Sequence, residues 1–335
     1  MPTPGAGPLL VRLPNWLGDL VLAWPVLDAA AREAVLFVGP AAFEPLVLAR
    51  FPSARYLAWR REARYALVGE MRRARPRAAL LLTDSFSSAL LARLAGVPER
   101  IGYAAEWRGP LLTRRVAREA ASRAVARTDE YRVLARAAGL AAAAGAPSLT
   151  VTPGEREAAR DLLAAAGLAA DAKPVVVAPG AAYGPAKQWG VERFADAAAA
   201  IATPRGLPVV TVGAPSDAAA GAAVATRLRA AGAGAHDLTG RTDLTSLAGV
   251  LAAASLVLSN DSGVMHLAAA LGRPTVAVFG STSPVWTSAS APWVANLYAA
   301  YPCSPCFRRT CPIGYGCLRA IAPSRAVEAA SRLLS

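Results

Sequence analysis

A strand, a polar turn, a helix and a second strand follow one another between Ser255 and Phe279, and that order constrains the chain more than any other stretch. Ser255-Leu256-Val257-Leu258 has the apolar run of a short buried strand. Leu267-Ala268-Ala269-Ala270-Leu271 reads as a helix stopped by Gly272, and Pro274-Thr275-Val276-Ala277-Val278-Phe279 as the next strand. A strand–helix–strand unit crosses over right-handed in nearly all cases, and ligands sit at the carboxyl end of its first strand. Here that position is Ser259-Asn260-Asp261-Ser262-Gly263-Val264-Met265-His266. Ser262-Gly263 opens the helix, so unpaired N–H groups and a positive dipole end offer a seat for phosphate. Asp261 repels phosphate but accepts hydrogen bonds from hydroxyls, and the combination suits a sugar nucleotide. Asp-Ser-Gly is also an ordinary helix start, with Asp261 or Ser262 as an N-cap.

Composition makes the rare residues conspicuous. Arg outnumbers Lys 34 to 2, and the chain holds only three Asn and two His. Lys187, Asn15, Asn260 and His266 all fall in the motifs discussed here. The net charge of +13 is uneven: residues 1–150 carry 21 Arg against 12 acidic side chains, with seven arginines between Arg60 and Arg77. That skew points to an anionic partner such as a phosphorylated glycolipid or a membrane surface, or to arginine replacing lysine on a solvated face. The arginines are not interleaved with aromatics and no nucleic-acid module is present, which argues against a nucleic-acid-binding protein. The apolar stretch Leu9 to Ala31 is broken by Arg12, Asn15, Asp19, Pro25 and Asp28. It predicts neither a membrane span nor a signal peptide, and hence a cytoplasmic protein, with peripheral contact at the inner face of the membrane.

The amino-terminal half alternates strands (Leu9–Leu13, Val35–Val38, Ala78–Leu82) with helices. One helical pattern covers Leu17–Arg32, kinked at Pro25, and another Ser87–Leu94. Ile101–Tyr103 reads as an edge strand, and Glu130–Ala144 and Glu155–Ala166 as helices. The rhythm restarts with strands at Pro174–Ala178, Val209–Val212, Leu256–Leu258 and Thr275–Phe279. Helices are expected at Val191–Ala202, Ser216–Ala231, Leu244–Ala253 and Ser262–Leu271. The alanine runs 141–144 and 197–200 are read as helical. Two consecutive halves of this kind predict an α/β protein of two doubly wound, Rossmann-like domains facing a cleft. The boundary is placed in Gly167 to Pro174, giving residues 1–168, then 169–322, with 323–335 as a helix packing back on the first domain. Neither a G-x-G-x-x-G nor a Walker A sequence occurs.

Leu13-Pro14-Asn15-Trp16-Leu17-Gly18-Asp19 follows the first strand, and a carboxylate there can take a proton from an incoming hydroxyl. Asp19 equally suits the first turn of its own helix. Ala178-Pro179-Gly180-Ala181-Ala182-Tyr183-Gly184-Pro185-Ala186-Lys187-Gln188-Trp189 is a Gly/Pro-rich loop ending in a lone lysine. Close backbone approach at Gly180 and the point charge of Lys187 suit a diphosphate. Val212-Gly213-Ala214-Pro215-Ser216-Asp217 ends the next strand, where Asp217 is a candidate ribose contact and Ser216 a candidate N-cap. Cys303, Cys306, Cys311 and Cys317 hold every thiol within 15 residues. The clustering favours a structural tetrathiolate zinc site, with an iron–sulfur cluster, free thiols or disulfides as alternatives.

Taken together, Asn15–Asp19, Pro179–Trp189 and Ser259–His266 with Arg273-Pro274 resemble the bacterial heptosyltransferases of glycosyltransferase family 9, most closely the branch acting on ADP-heptose and lipopolysaccharide. The resemblance runs from about Leu9 to the end. It implies a GT-B architecture and a metal-independent, inverting transfer that requires no cofactor. The donor, ADP-heptose, lies in the second domain and an anionic glycolipid acceptor against the first, near Asn15, Trp16 and Gly18. Asp19 takes the role of general base, Lys187 contacts the donor phosphates, and Asp261, Ser262, Gly263 and His266 surround the sugar and diphosphate. Another donor or glycan acceptor, or a sugar-nucleotide epimerase on the same plan, are the alternatives.

Overall fold

The computed structural model describes residues 7–60, 62–118 and 122–335, so Arg61 of the arginine-rich segment and the first residues of the amino-terminal domain lie outside the described residues. The chain divides into two compact units, 1–147 and 148–335. Each is built on a six-stranded sheet.

In the first unit the strands are β1 (Leu9–Arg12), β2 (Val35–Pro40), β3 (Arg55–Trp59), β4 (Ala78–Leu81), β5 (Glu99–Tyr103) and β6 (Arg114–Val116). Their order is β3-β2-β1-β4-β5-β6, with every neighbouring pair parallel. The second unit has β7 (Val175–Ala178), β8 (Val209–Thr211), β9 (Ala235–Asp237), β10 (Leu256–Asn260), β11 (Thr275–Phe279) and β12 (Val294–Tyr298). Its order, β12-β11-β10-β7-β8-β9, is the same topology, again all parallel. Helices cover both faces of such sheets, so the central strands are apolar on both sides. β1, β4, β7 and β10 are buried at every position.

The expected strands are the interior ones. All four edges, β3, β6, β9 and β12, escape the sequence reading because an edge strand is half solvated and tolerates polar residues. Arg114-Arg115 and His236-Asp237 are such cases. Ile101–Tyr103 is accordingly not an edge, since β5 pairs with β6 through Ile101↔Arg114.

The expected helix at Leu17–Arg32 is two helices, Leu17–Leu22 and Trp24–Ala30, separated at Ala23, with Pro25 in the first turn of the second, where its missing N–H costs nothing. The helix expected at Glu130–Ala144 runs over Arg127–Ala137, and Gly139 at φ 78° turns the chain away. The alanines 141–144 are therefore irregular, whereas 197–200 lie inside the helix Val191–Ala202. The arginine-rich segment contains the helix Arg64–Ala74.

The division between units falls about twenty residues ahead of the expected boundary. The helix Pro153–Ala165, opened by a Thr152–Glu155 capping box, belongs to the second unit. It packs so closely on Leu244–Ala253 that a Cβ on Gly249 would lie 1.9 Å from the Glu155 carbonyl oxygen. The closing helix, Pro323–Leu334, sets Ala326, Ala329 and Ala330 into the core of the second unit beside Phe194 and Val276. Among the described residues no helix is long and apolar enough to cross a membrane.

Candidate active site

In a doubly wound sheet the strand order reverses between two central strands, and their carboxyl ends flank the crevice where ligands bind. Those strands are β1 and β4 in the first unit, β7 and β10 in the second. Asp19 follows β1; the Gly180–Lys187 loop follows β7 and Asp261 follows β10. The fold thus carries Asp19, Lys187 and Asp261 to switch points, whereas Asp217 follows β8.

In the second unit the chemistry gathers on Asp261, a buried side chain. Its Oδ2 accepts from Lys187 Nζ at 2.6 Å, Thr282 Oγ1 at 2.6 Å and Thr287 Oγ1 at 3.2 Å. Its Oδ1 lies 3.9 Å from His266 Nε2. Asp261 is therefore no helix cap. Ser262 occupies the N-cap position of Gly263–Ala270 without a side-chain cap bond, and its hydroxyl instead meets Ser259 Oγ at 3.0 Å. Lys187 is buried as well, its ammonium 4.9 Å from the centre of the Tyr183 ring. Arg309 lies on the same ring at 5.5 Å, so the aromatic face is shared by two cations. Asn260 ties the two loops together: its Oδ1 accepts from Trp189 N–H at 3.0 Å and its Nδ2 donates to the Pro179 carbonyl at 2.8 Å.

Gly180 has a packing reason of its own. A Cβ there would lie 2.2 Å from the Asp217 carboxyl carbon, so Asp217 fills the space. Asp217 Oδ2 accepts from Ala214 N–H at 3.0 Å, which closes its own turn.

In the first unit Asp19 sits in the first turn of Leu17–Leu22 and caps nothing. Its Oδ1 accepts from the Tyr131 hydroxyl at 2.9 Å and from Arg127 Nε at 3.3 Å. Alternating charges continue outward: Arg127 meets Glu130 at 2.6 Å, and Arg118 lies 3.7 Å from Glu130 and 2.8 Å from Asp84. Burial opposes the charge on Arg127, but Tyr131, Asp19 and Glu130 together hold its pKa above the usual range. Burial, then the Asp19 charge, push the Tyr131 phenol well up. Asn15 and Trp16 are exposed, and Asn15 Oδ1 is anchored by Arg12 Nη2 at 2.7 Å. Burial lowers the pKa of Arg12 to about 10, which leaves it charged at neutral pH.

The profile of glycosyltransferase family 9 (heptosyltransferase) matches residues 64–315. Lipopolysaccharide heptosyltransferase 2 of Escherichia coli is 32% identical over 298 residues, covering 83% of this chain and 84% of its own. The chain belongs to glycosyltransferase family 9. Lipooligosaccharide heptosyltransferase 2 of Haemophilus influenzae is 29% identical over 301 residues, 83% of this chain and 85% of that one. The solved structure of E. coli ADP-heptose lps heptosyltransferase II superposes with a TM-score of 0.80 at 28% identity, covering 98% of both chains. A family 9 glycosyltransferase from Veillonella parvula shares the fold, with a TM-score of 0.81 at 20% identity over 98% of this chain and 97% of that one. The chain is thus a glycosyltransferase of family 9 with the GT-B fold.

One expectation for this family 9 enzyme is corrected. Among the described residues no group of three or more His, Cys, Asp or Glu side chains is placed to hold a metal ion. The tetrathiolate zinc site is accordingly not supported, and Cys303, Cys306, Cys311 and Cys317 are free thiols. Cys317 enters the core beside Leu318, Cys303 is exposed, and Cys311 Sγ accepts from Tyr315 N–H at 3.2 Å; burial, and then the other three thiols, raise the Cys317 pKa. What the loop does instead is grip the lysine loop. The Arg309 carbonyl accepts from Ala186 N–H at 3.0 Å, the Ala186 carbonyl from Ser281 N–H at 3.2 Å, and the Ser281 carbonyl from Phe307 N–H at 2.7 Å. The Tyr183 hydroxyl donates to the Phe307 carbonyl.

Sequence reasoning gave no role to Thr282, Thr287, Tyr183, Arg127 or Tyr131. Thr282 had a signal, a polar turn directly after the apolar strand β11. Arg127 and Tyr131 stand more than a hundred residues from Asp19, so only the fold brings them together.

Proposed function

We propose that this chain transfers heptose from ADP-heptose to the lipopolysaccharide inner core, by a metal-independent, inverting displacement. The observation that carries the reading is the Lys187–Asp261 pair at the β7/β10 switch point. An ammonium has three N–H donors. One goes to Asp261 Oδ2 and one edge of the group rests on Tyr183, which leaves a donor for a diphosphate. With the N–H groups at Ser262 and Gly263, that cation stabilises the departing ADP without a metal. Oδ2 of Asp261 is already occupied by three donors, so Oδ1 and His266 are the groups assigned to the sugar hydroxyls. Gly180 and Asp217 border the nucleotide. Asp19 takes the proton from the acceptor hydroxyl; the acceptor oxygen forms its bond to the anomeric carbon from the face opposite the diphosphate, and the sugar–phosphate bond breaks with its electron pair going to ADP. Asn15, Trp16 and Gly18 flank the acceptor. The E. coli relatives' names, lipopolysaccharide heptosyltransferase 2 and ADP-heptose lps heptosyltransferase II, support this choice of donor and acceptor. The arginine excess of the first unit suits an anionic glycolipid at the cytoplasmic face of the membrane.

Calorimetric titration with ADP, UDP, GDP and ADP-heptose, without added metal, tests it. ADP and its heptose should bind and the other nucleotides should not. Preference for UDP or GDP overturns the heptose donor.

A further inference from the structure

Both donors that reach Asp19 reach the same oxygen, Oδ1. Oδ2 accepts no hydrogen bond among the described residues, and the side chain keeps 32% of its surface open. A carboxylate rotates about its bond to Cβ unless something holds one oxygen. Tyr131 is 1% exposed in the helix Arg127–Ala137, so its hydroxyl is a fixed point.

We propose that Tyr131 is the positioning residue of the general base, a reading that rests on Asp19 taking the acceptor's proton: the phenol holds Oδ1 so that Oδ2 is presented to the acceptor hydroxyl. Arg127 is the less suitable holder. It lies closer to Glu130, at 2.6 Å, than to Asp19, at 3.3 Å, and it also approaches Asp84 at 3.9 Å. Glu130 and Asp84 are in turn shared with Arg118. The cation is thus divided among three carboxylates, whereas the phenol orients Asp19 without adding a positive charge that would weaken it as a base. Burial and the neighbouring carboxylate keep the phenol protonated, so it remains a donor across the working pH range. Tyr131 transfers no proton. The acceptor's proton goes to Oδ2, and the electron pair it leaves behind forms the new glycosidic bond.

The groups that face Asp19 are Tyr131 and Arg127 on that one helix, with Glu130, Asp84 and Arg118 behind Arg127. The experiment sets Tyr131→Phe beside Asp19→Asn, assayed with ADP-heptose and a heptose-deficient lipopolysaccharide acceptor. Tyr131→Phe should lower kcat about 10- to 100-fold, the usual range for losing one hydrogen bond to a charged group, with KM for ADP-heptose within about twofold. The acidic limb of its kcat–pH profile should move to higher pH, because a carboxylate that loses a donor is protonated more readily. 3-Fluorotyrosine at position 131 keeps the packing and strengthens the donor, and should move that limb the other way. Unchanged kcat and pH limb in Tyr131→Phe, or a lowered kcat with the limb unmoved in both variants, overturns the positioning role. Loss of transfer in Asp19→Asn leaves the base assignment standing in that case, whereas full turnover by Asp19→Asn overturns the base assignment itself.

Discussion

Asp19 and Asp261 occupy corresponding places, each just past a switch-point strand and at the start of a helix, yet their surroundings differ in kind. Asp261 is sealed in: one oxygen takes an ammonium and two hydroxyls, and the side chain is 2% exposed. Asp19 is gripped at one oxygen and open at the other. A buried carboxylate with an ammonium and two hydroxyls on one oxygen serves as a fixed charge that places its partners. One that is oriented but half-open can take a proton and release it. A third helix-start aspartate calibrates the pair. Asp243 accepts from Ser246 N–H at 2.7 Å and caps Leu244–Ala253, doing what a helix-start aspartate ordinarily does.

The largest effect should come from the open member. Asp19→Asn keeps size and hydrogen bonding but removes the base, and should reduce kcat by roughly 100- to 10,000-fold. Calorimetric affinity for ADP should stay unchanged. Loss of ADP binding instead would place Asp19 in the donor site and erase the contrast.

The sealed pair should respond the opposite way. Lys187→Ala strands a buried carboxylate and should lower unfolding free energy by about 3–5 kcal/mol, read by urea titration, together with ADP affinity. Lys187→Met combined with Asp261→Asn removes both charges and should recover most of that stability while leaving ADP binding weak. Recovery of binding as well would mean that the ammonium does not touch the diphosphate.

A smaller test lies in the hydroxyls. Thr282→Val deletes one donor to Asp261 and should cost about 1–3 kcal/mol in the same titration. No change would show that Lys187 alone satisfies the carboxylate.

The smallest effect belongs to Asp243. Its pKa is lowered by the Ser246 hydroxyl and then by backbone N–H groups, so the charged form is favoured in the folded state. Its contribution is therefore present above the unfolded carboxylate range and disappears as the pH falls through the lowered folded value. Asp243→Ala should cost about 1 kcal/mol at neutral pH and less in acid, measured as melting temperature against pH. A penalty independent of pH would remove the calibration.

The same contrast explains what the amino-acid sequence disclosed. The eight interior strands are legible because both faces must be apolar, and the switch-point loops because Gly, Pro and a solitary lysine stand out there. β6 and β9 were hidden by Arg114-Arg115 and His236-Asp237, which an edge tolerates. The Asp261 site was readable because two local loops carry most of it. The Asp19 site was readable only as far as Asp19, since Arg127 and Tyr131 arrive on a helix whose pattern shows a buried face but not what that face meets. The zinc expectation rested on clustering along the chain, and clustering alone does not set thiols in a metal-binding geometry.

The grip on the lysine loop runs partly through main-chain atoms of Ala186, Ser281, Phe307 and Arg309, and partly through two side chains, the Tyr183 hydroxyl on the Phe307 carbonyl and Arg309 Nε on the Tyr183 carbonyl at 2.7 Å. Arg309 holds its share of the grip by its side chain, and only the main-chain part is tolerant of substitution. Gly184 is not, since a Cβ on it would fall 2.7 Å from the Arg309 carbonyl oxygen and its φ is 140°. An intact donor loop therefore requires glycine at position 184.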